Sequence, residues 1–268
     1  MRANVNNCAD SGETIMALFE SGNTRLHFAL WDGSVLIGAK SVTYPHDENE
    51  IVKLVDELLG GKAVDCAAAC SVSNRRRSTL FRALSGKFPG HFHVARTSGD
   101  IHVEVDYEEP ETIGIDRVLA AHAAFVLYDS ACVVVDAGTA VTVDAVSDEG
   151  ELLGGYIFPG LDILCSCLST FTDLPVVKPA TSYAGIGHGT VSCLANAAST
   201  GFIAAIDELV GIANEVTGDN ATVILTGGGA QMLNANLPFE TFERPYLAME
   251  GLGRVAEILP LYAYDKIK

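Results

Sequence analysis

One stretch decides how the fold is read: Ala131-Cys132-Val133-Val134-Val135-Asp136-Ala137-Gly138-Thr139-Ala140-Val141-Thr142-Val143-Asp144-Ala145-Val146. An apolar, β-branched run breaks at an acid and a glycine and resumes as an alternating strand, which predicts a β-hairpin. The glycine at its tip lets backbone N–H groups approach an anion, and Thr139 adds a hydroxyl donor. The carboxylate of Asp136 can hold a cation that neutralises a phosphate. One turn therefore carries the residue types that a nucleotide's phosphates and metal require.

A second hairpin with the same signature lies near the N-terminus. There Glu20, Gly22 and Thr24 stand between two strand-like segments. An isolated turn of this kind is usually structural, but two in one chain predict an internal duplication. Duplicated hairpins that face one another across a nucleotide are the plan of the actin-like and sugar-kinase-like ATPases. The predicted fold class is therefore α/β: a two-lobed actin-like ATPase (ribonuclease H-like) fold with duplicated mixed sheets flanked by helices.

Length and composition fit this plan. The chain has 268 residues, 49% of them hydrophobic, which suffices for one large or two medium cores. No low-complexity linker separates the halves. We expect residues 1–15 to form a disordered extension, residues 16–128 the first lobe and residues 129–268 the second lobe.

The charge balance restricts the partners. With 17 Lys and Arg against 34 Asp and Glu, the formal charge of −17 repels nucleic acid and anionic membranes. The arginine run 75–77 is interpreted as a solvated helix face. No uninterrupted apolar run reaches the roughly 18 residues of a membrane span, and the first ten residues lack a signal-peptide core. We expect a cytoplasmic protein whose seven cysteines are reduced thiols.

Further candidate residues lie at predicted helix starts. A helix is predicted over residues 118–127, preceded by Gly114, Asp116 and Arg117, where free N–H groups favour anions. Asp116 is either an ordinary first-turn acid or a ligand-facing one. A helix is predicted over residues 48–59 from its apolar periodicity, and short strands are predicted at residues 91–95 and 101–105. A strand over residues 222–226 runs into three glycines and a helix, an arrangement that approaches nucleotides.

Together these motifs resemble the type III pantothenate kinases of the actin-like ATPase superfamily, over essentially the whole chain from Met16. The matching motifs are Glu20-x-Gly22-Asn23-Thr24, Tyr107-x-x-Pro110, Gly114-x-Asp116-Arg117, Asp136-x-Gly138-Thr139-Ala140, Gly154-Gly155-x-Ile157-x-Pro159-Gly160, Thr190, Thr226-Gly227-Gly228-x-Ala230 and Glu250-Gly251-Leu252. Each motif is weak by itself, and their common order makes the resemblance specific.

The resemblance implies transfer of the ATP γ-phosphoryl group to the primary hydroxyl of pantothenate, giving 4'-phosphopantothenate, the first step of coenzyme A biosynthesis. Asp116 would be the general base, acting mainly as an orienting acceptor. The implied substrate-binding residues are Tyr107, Gly114, Ile115, Asp116, Arg117 and Thr190. The implied ATP-binding residues are Glu20, Ser21, Gly22, Asn23, Thr24, Arg25, Gly138, Thr139, Gly227 and Gly228.

The resemblance also implies Mg2+ and a monovalent cation, K+ or NH4+, with Asp136 and Glu20 as the acidic ligands. It implies a homodimer whose substrate pocket lies at the subunit interface. Glu20 departs from the family pattern, which normally has Asp there, and the extra methylene could misplace the carboxylate by about 1 Å. Ala197 replaces a glycine common in the family.

Two other functions are compatible with these motifs. The chain could be a non-catalytic regulatory or binding relative of the same fold, or a kinase of another small hydroxylated acid. The presence of Asp116, Arg117 and Asp136 together with the glycine loops favours catalysis, because a scaffold has no use for them.

Overall fold

A computed structural model describes residues 15–45, 47–101, 103–180 and 185–260. These residues form two compact units, the first running to Ala123 and resuming at Tyr246, the second running from Ala124 to Pro245. The predicted extension over residues 1–15 lies outside the described residues except for Ile15. The backbone of Ile15 pairs with Asp65, since each N–H donates to an oxygen of the other residue at 3.1 Å.

The first unit is a five-stranded mixed sheet with helices. Its elements are β1 (Met16–Ser21), β2 (Arg25–Trp31), β3 (Leu36–Thr43), α1 (Glu48–Leu59), β4 (Cys66–Ser71), α2 (Asn74–Lys87), β5 (Phe92–Ala95), α3 (Ser98–Ile101), a 3-10 turn (Pro110–Thr112), α4 (Ile115–Tyr128), which runs into the second unit, and α8 (Leu247–Val255). The strand order is β3-β2-β1-β4-β5. Strands β1, β2 and β3 are antiparallel, and β4 runs parallel to β1.

Strand alternation decides which face of this sheet is apolar. Phe19, Leu26 and Phe28 are buried in one cluster together with residues of α1 and α2. Because successive side chains of a strand point to opposite faces, the residues between them lie on the other face. The predicted helix over residues 48–59 is confirmed. The Asp47 carboxylate accepts the N–H of Glu50 at 2.9 Å and so caps its first turn.

One local prediction is wrong. The segment predicted as a strand over residues 101–105 instead begins with the end of α3. The carboxylate of Asp100 accepts the backbone N–H groups of Arg96 and Thr97 at 2.9 and 3.0 Å. This local hydrogen bonding turns the chain at the point where strand alternation was expected to continue.

The second unit repeats the design of the first. Its elements are β6 (Cys132–Ala137), β7 (Ala140–Val146), β8 (Leu152–Pro159), α5 (Leu161–Phe171), α6 (Thr190–Val216), β9 (Thr222–Thr226), α7 (Ala230–Asn234) and β10 (Phe242–Glu243). The strand order, β8-β7-β6-β9-β10, matches that of the first sheet when corresponding strands are compared. The predicted α/β class with duplicated mixed sheets is therefore confirmed.

Helix α6 covers the apolar face of the second sheet. Phe202, Ile206 and Val210 are buried with the apolar residues of β6 and β7. By length and composition this one helix among the described residues could cross a membrane, with a mean hydropathy of 1.3 in its most apolar window and 28% of that window buried. Packing against β6 and β7 accounts for the buried apolar residues of α6, and its other apolar residues are exposed or half-buried.

The C-terminal segment belongs to the first unit. The Val94 N–H donates to the Pro260 carbonyl at 3.2 Å, and His93 Nδ1 lies 2.8 Å from the Leu259 carbonyl. A Cβ at Gly251 would lie 2.1 Å from the Leu119 carbonyl oxygen, so only glycine allows α8 to lie this close to α4. The units thus differ from the continuous halves 16–128 and 129–268 expected from the sequence, because these contacts return the end of the chain to the first sheet.

Candidate active site

The first hairpin presents an acid beside a tight turn. The N–H of Gly22 donates to the Arg25 carbonyl at 3.0 Å, which closes the turn between β1 and β2. Ser21 is buried at the end of β1, and its carbonyl accepts the N–H of Val72 at 3.1 Å. Glu20 precedes this turn with a side chain that is only 13% exposed. The backbone around the acid is thus fixed by bonds to both neighbouring strands.

The second hairpin is surrounded by glycines at close contact. The N–H of Gly138 donates to the Ala140 carbonyl at 3.1 Å. A Cβ at Gly160 would lie 2.4 Å from the Thr139 carbonyl oxygen, and one at Gly227 would lie 2.3 Å from Asp136 Oδ1. Gly227 also has a φ of +81°, which disfavours any residue with a side chain. The acid and the hairpin tip are therefore held in a backbone cradle that excludes larger residues.

The strand registers show that the two acids occupy equivalent positions. Glu20 pairs with His27 on β2 and with Cys70 on β4. Asp136 pairs with Thr142 on β7 and with Thr226 on β9. Each unit therefore carries one carboxylate at the same place in the same sheet design.

Asp116 lies in the first turn of α4, which begins at Ile115, earlier than the residue 118 expected from the sequence. Its Oδ1 accepts the N–H of Arg117 at 2.9 Å. A Cβ at Gly114 would lie 2.5 Å from that same oxygen, so the glycine leaves room for the carboxylate. Both interpretations of Asp116, as a first-turn acid and as a ligand-facing one, are compatible with this geometry.

Arg117 is a buried cation, with 6% of the residue exposed. Its guanidinium carbon lies 5.8 Å from the centre of the Tyr107 ring, within the range of a cation–π contact. A guanidinium fork held in this way is suited to a carboxylate or a phosphoryl group. The sequence motifs Tyr107-x-x-Pro110 and Gly114-x-Asp116-Arg117 therefore converge in the first unit.

A buried thiol links Asp116 to the first hairpin. Burial, followed by the negative charges of Glu20 and Asp116, raises the pKa of the Cys70 thiol well above its usual value. Both carboxylates must be near Cys70 for their charges to act on it. Glu20 and Asp116 therefore belong to one acidic neighbourhood of the first unit.

The other predicted site residues are distributed over both units. The Arg25 guanidinium is held on β3, where Nε donates to Ser41 Oγ at 2.5 Å and Nη2 to the Ser41 carbonyl at 2.7 Å. Thr190 is the exposed first residue of α6 in the second unit. Ile115 is buried at the start of α4. The remaining residues are two at the first hairpin tip, Asn23 and Thr24, and Gly228, which follows β9.

Sequence reasoning missed the residues that pack around the acids. His27 faces Glu20, and Gly160 lies against the tip of the second hairpin. The alternation of Leu26, Phe28 and Leu30 already assigns His27 to the opposite face of β2, so counting the hairpin register would have found the pair. Gly160 belongs to a motif named above, but no local signal indicates its contact with the hairpin tip, because that contact depends on how β8 ends beside the turn.

Solved structures of other proteins have the same fold. A Campylobacter jejuni protein assigned to the Baf family of transcriptional activators matches with a TM-score of 0.59 and 20% identity, covering 90% of this chain and 97% of its own. Component A of (R)-2-hydroxyglutaryl-CoA dehydratase from Acidaminococcus fermentans matches with a TM-score of 0.52 and 14% identity, covering 92% and 97%. At such identities the likeness concerns the fold alone, and it shows that the chain shares the α/β fold of these two proteins.

Sequence relatives define the family. Residues 16–211 match the family described as type III pantothenate kinase. The type III pantothenate kinase of Alcanivorax borkumensis is 31% identical, over 90% of this chain and 98% of its own length. That of Akkermansia muciniphila is 30% identical, over 91% and 98%. The chain belongs to the type III pantothenate kinase family, and its kinase activity uses ATP as the phosphoryl donor.

Proposed function

We propose that the protein transfers the γ-phosphoryl group of ATP to the primary hydroxyl of pantothenate and so begins coenzyme A synthesis. The observation that carries this assignment is the cluster of Asp116, Arg117 and Tyr107 in one unit with Glu20. The cluster combines an acceptor for a hydroxyl proton, a cation for an anionic substrate and an acid at a phosphate-type hairpin. Family membership identifies the substrate for which these groups are used.

Asp116 orients the substrate hydroxyl. A carboxylate that accepts a hydroxyl proton places the oxygen in line with the phosphorus atom that it attacks, and positioning provides most of the catalysis in phosphoryl transfer. Gly114 supports this role because any side chain there would clash with the carboxylate, its Cβ lying 2.5 Å from Asp116 Oδ1.

Arg117 binds the pantothenate carboxylate or the transferred phosphoryl group. Its burial against Tyr107 lowers the entropy that the side chain loses on binding, and the low exposure strengthens its attraction for an anion. Gly114, Ile115, Tyr107 and Thr190 complete the proposed substrate-binding set. Because Thr190 is exposed at a helix start, its hydroxyl is available to a ligand.

The two hairpins bind the phosphates of ATP through the backbone. Gly22 and Gly138 leave the turns open, while Thr24 and Thr139 supply hydroxyl donors. Gly227 and Gly228 contribute a side-chain-free surface that an adenosine can contact. A net charge of −17 makes such local donors necessary, because the protein as a whole repels the nucleotide.

Mg2+ and a monovalent cation, K+ or NH4+, complete the proposed site. Asp136 and Glu20 supply carboxylate oxygens, the ligands that Mg2+ prefers, and Gly227 keeps a side chain away from Asp136 Oδ1. No group of three or more potential metal ligands occurs in the described part of the chain. When bound, such a cation neutralises phosphate charge.

A homodimer, with the substrate pocket at the subunit interface, is supported by an apolar surface of the second unit. The exposed apolar residues on and near α5 and the start of α6 are Leu168 (46% exposed), Phe171 (85%), Val176 (64%), Ile186 (84%) and Val191 (60%). Leu168 also lines a groove of about 310 Å3 in this unit, together with residues such as Leu164, Pro175 and Leu194. Exposed apolar surface of this extent marks an interaction site, and the proposed occupant is a second copy of the chain in the cytoplasm.

Sedimentation tests the dimer. We expect the protein to sediment as a dimer. The Phe171→Ser variant should form a weaker dimer, which is already dissociated at concentrations where the wild type remains dimeric. Lys62→Ser, at an exposed position of the first unit, is the matched control and should leave the dimer intact. A wild-type monomer that phosphorylates pantothenate would refute both the dimer and the interface pocket.

Replacement of the base tests the reaction. We expect Asp116→Asn to lower kcat by about 100- to 10,000-fold while ATP still binds, because the acceptor is lost and the phosphate sites are unchanged. Asp148→Asn, an exposed acid between β7 and β8, is the control. Unchanged turnover in Asp116→Asn would show that another group orients the hydroxyl. Binding of pantothenate without any turnover in the wild type would favour a non-catalytic relative.

A further inference from the structure

One row of polar side chains crosses the first sheet at the level of Glu20. By strand register the row consists of Cys70 on β4, Glu20 on β1, His27 on β2 and Ser41 on β3. Alternation places this row on the face opposite the cluster that contains Phe19 and Phe28. Glu20 thus has the buried thiol on one side and an imidazole on the other.

His27 approaches the acid directly. Its Nδ1 lies 3.5 Å from Glu20 Oε2, and the two side chains are 25% and 13% exposed. The Tyr246 ring meets the imidazole edge to face, with ring centres 6.0 Å apart and planes at 87°. The tyrosine therefore limits rotation of the imidazole and keeps its Nδ1 side in one orientation.

The second unit provides an internal comparison. At the position equivalent to Glu20 it has the shorter Asp136, and at the position equivalent to His27 it has Thr142. Glutamate has one more rotatable bond than aspartate, so its carboxylate has more conformations to lose. The longer acid occurs in the unit where the facing residue is a large imidazole.

We propose that His27, oriented by Tyr246, is a positioning residue that holds the carboxylate of Glu20 in the conformation in which it acts at the phosphate site. This rests on the proposed function, in which Glu20 acts at the phosphate site. Without His27 the carboxylate would adopt other rotamers, and a displacement near 1 Å from its working position costs up to about 100-fold in rate. The pair thereby makes glutamate usable at the position where the second unit has aspartate.

A double-substitution cycle tests the pair. His27→Leu removes the nitrogen and keeps the bulk, and we expect kcat to fall about 10- to 100-fold with little change in the KM for pantothenate. His27→Asn restores most of kcat, because the asparagine Nδ2 lies near the position of the histidine Nδ1. Glu20→Asp withdraws the carboxylate by about 1.5 Å, which is beyond reach of the imidazole. His27→Leu should then have little further effect in the Glu20→Asp background.

A spectroscopic measurement supplies a readout besides activity. In 15N-histidine-labelled protein, the signal assigned to His27 by its loss in His27→Asn should show a protonated Nδ1, and it should shift in Glu20→Gln. His91→Leu, which changes an exposed histidine of the same unit, is the control and should leave kcat unchanged. Denaturant unfolding identifies any variant whose loss of activity reflects misfolding. If His27→Leu does not fold, His27→Ala, which also lacks the nitrogen, takes its place in the cycle.

The outcomes separate this inference from the proposed function. If the wild type does not phosphorylate pantothenate, the proposed function fails. If the wild type is active and Glu20→Gln is impaired, but His27→Leu is not, only the positioning role is refuted. An equal loss from His27→Leu in the wild-type and Glu20→Asp backgrounds would also refute it, because the effect would then be independent of the pair.

Discussion

Gly227→Ala is the substitution whose consequences follow most directly from the atomic contacts. The new Cβ would lie 2.3 Å from Asp136 Oδ1 and 2.9 Å from the Ala137 carbonyl, at a φ of +81°. The left-handed backbone costs about 1–2 kcal/mol for a residue with a Cβ. Crowding of a packed site adds about 1–3 kcal/mol. We therefore expect a loss of about 2–5 kcal/mol in the free energy of unfolding.

Gly218→Ala separates these two terms. Gly218 has a similar φ of +91° in the same unit, but a Cβ there would have nothing within 4 Å. The Gly218→Ala variant should lose only the about 1–2 kcal/mol of unfolding free energy that the left-handed backbone costs, and it should keep full kinase activity. In Gly227→Ala, displacement of Asp136 by about 1 Å should in addition lower kcat/KM for ATP about 100-fold.

Urea unfolding followed by circular dichroism gives the two free energies, and a coupled ADP assay gives kcat/KM. Equal losses of unfolding free energy in the two variants would show that crowding against Asp136 contributes nothing to the destabilisation. An active Gly227→Ala enzyme would refute the claim that this glycine protects the position of the acid.

Two further predictions concern Gly114 and Cys132. Gly114→Ala, whose Cβ would lie 2.5 Å from Asp116 Oδ1, should lower kcat about 100-fold, measured as pantothenate-dependent ADP release, and normal turnover would contradict this. Burial raises the pKa of the Cys132 thiol to about 11 in the folded protein. Because the thiol of the unfolded chain ionises at a lower pH, the free energy of unfolding should fall between about pH 8.5 and 11. In urea unfolding across that range, the free energy of unfolding of Cys132→Ala should fall by about 1–2 kcal/mol less than that of the wild type, allowing for screening. An identical fall in both proteins would show that Cys132 does not cause it.

Much of the fold could be predicted because its signals are local. The hairpin at Asp136, the helix over residues 48–59 and the strand over residues 222–226 each follow from periodicity and turn residues a few positions apart. The duplication followed from two similar turns, since a repeated hairpin implies a repeated sheet. The short helix α3 was missed because one carboxylate, Asp100, outweighs a weak strand pattern.

The packing around the acids could not be predicted in the same way. Tyr246 meets His27 across more than 200 positions of sequence, and the return of residues 246–260 to the first sheet depends on contacts such as Gly251 with Leu119. Such contacts have no periodic signature. The candidate site was therefore found through motif order, while the residues that hold it in place came from the structure.

Phosphorylation of pantothenate by the purified protein tests the central claim most directly. The protein is incubated with ATP, Mg2+, K+ and pantothenate, and both ADP and the mass of the product are measured, with a reaction lacking pantothenate as the control. We expect ADP release that requires pantothenate and equals the amount of 4'-phosphopantothenate formed. ADP release that is independent of pantothenate, or the absence of a phosphorylated product from a folded protein, would contradict the claim.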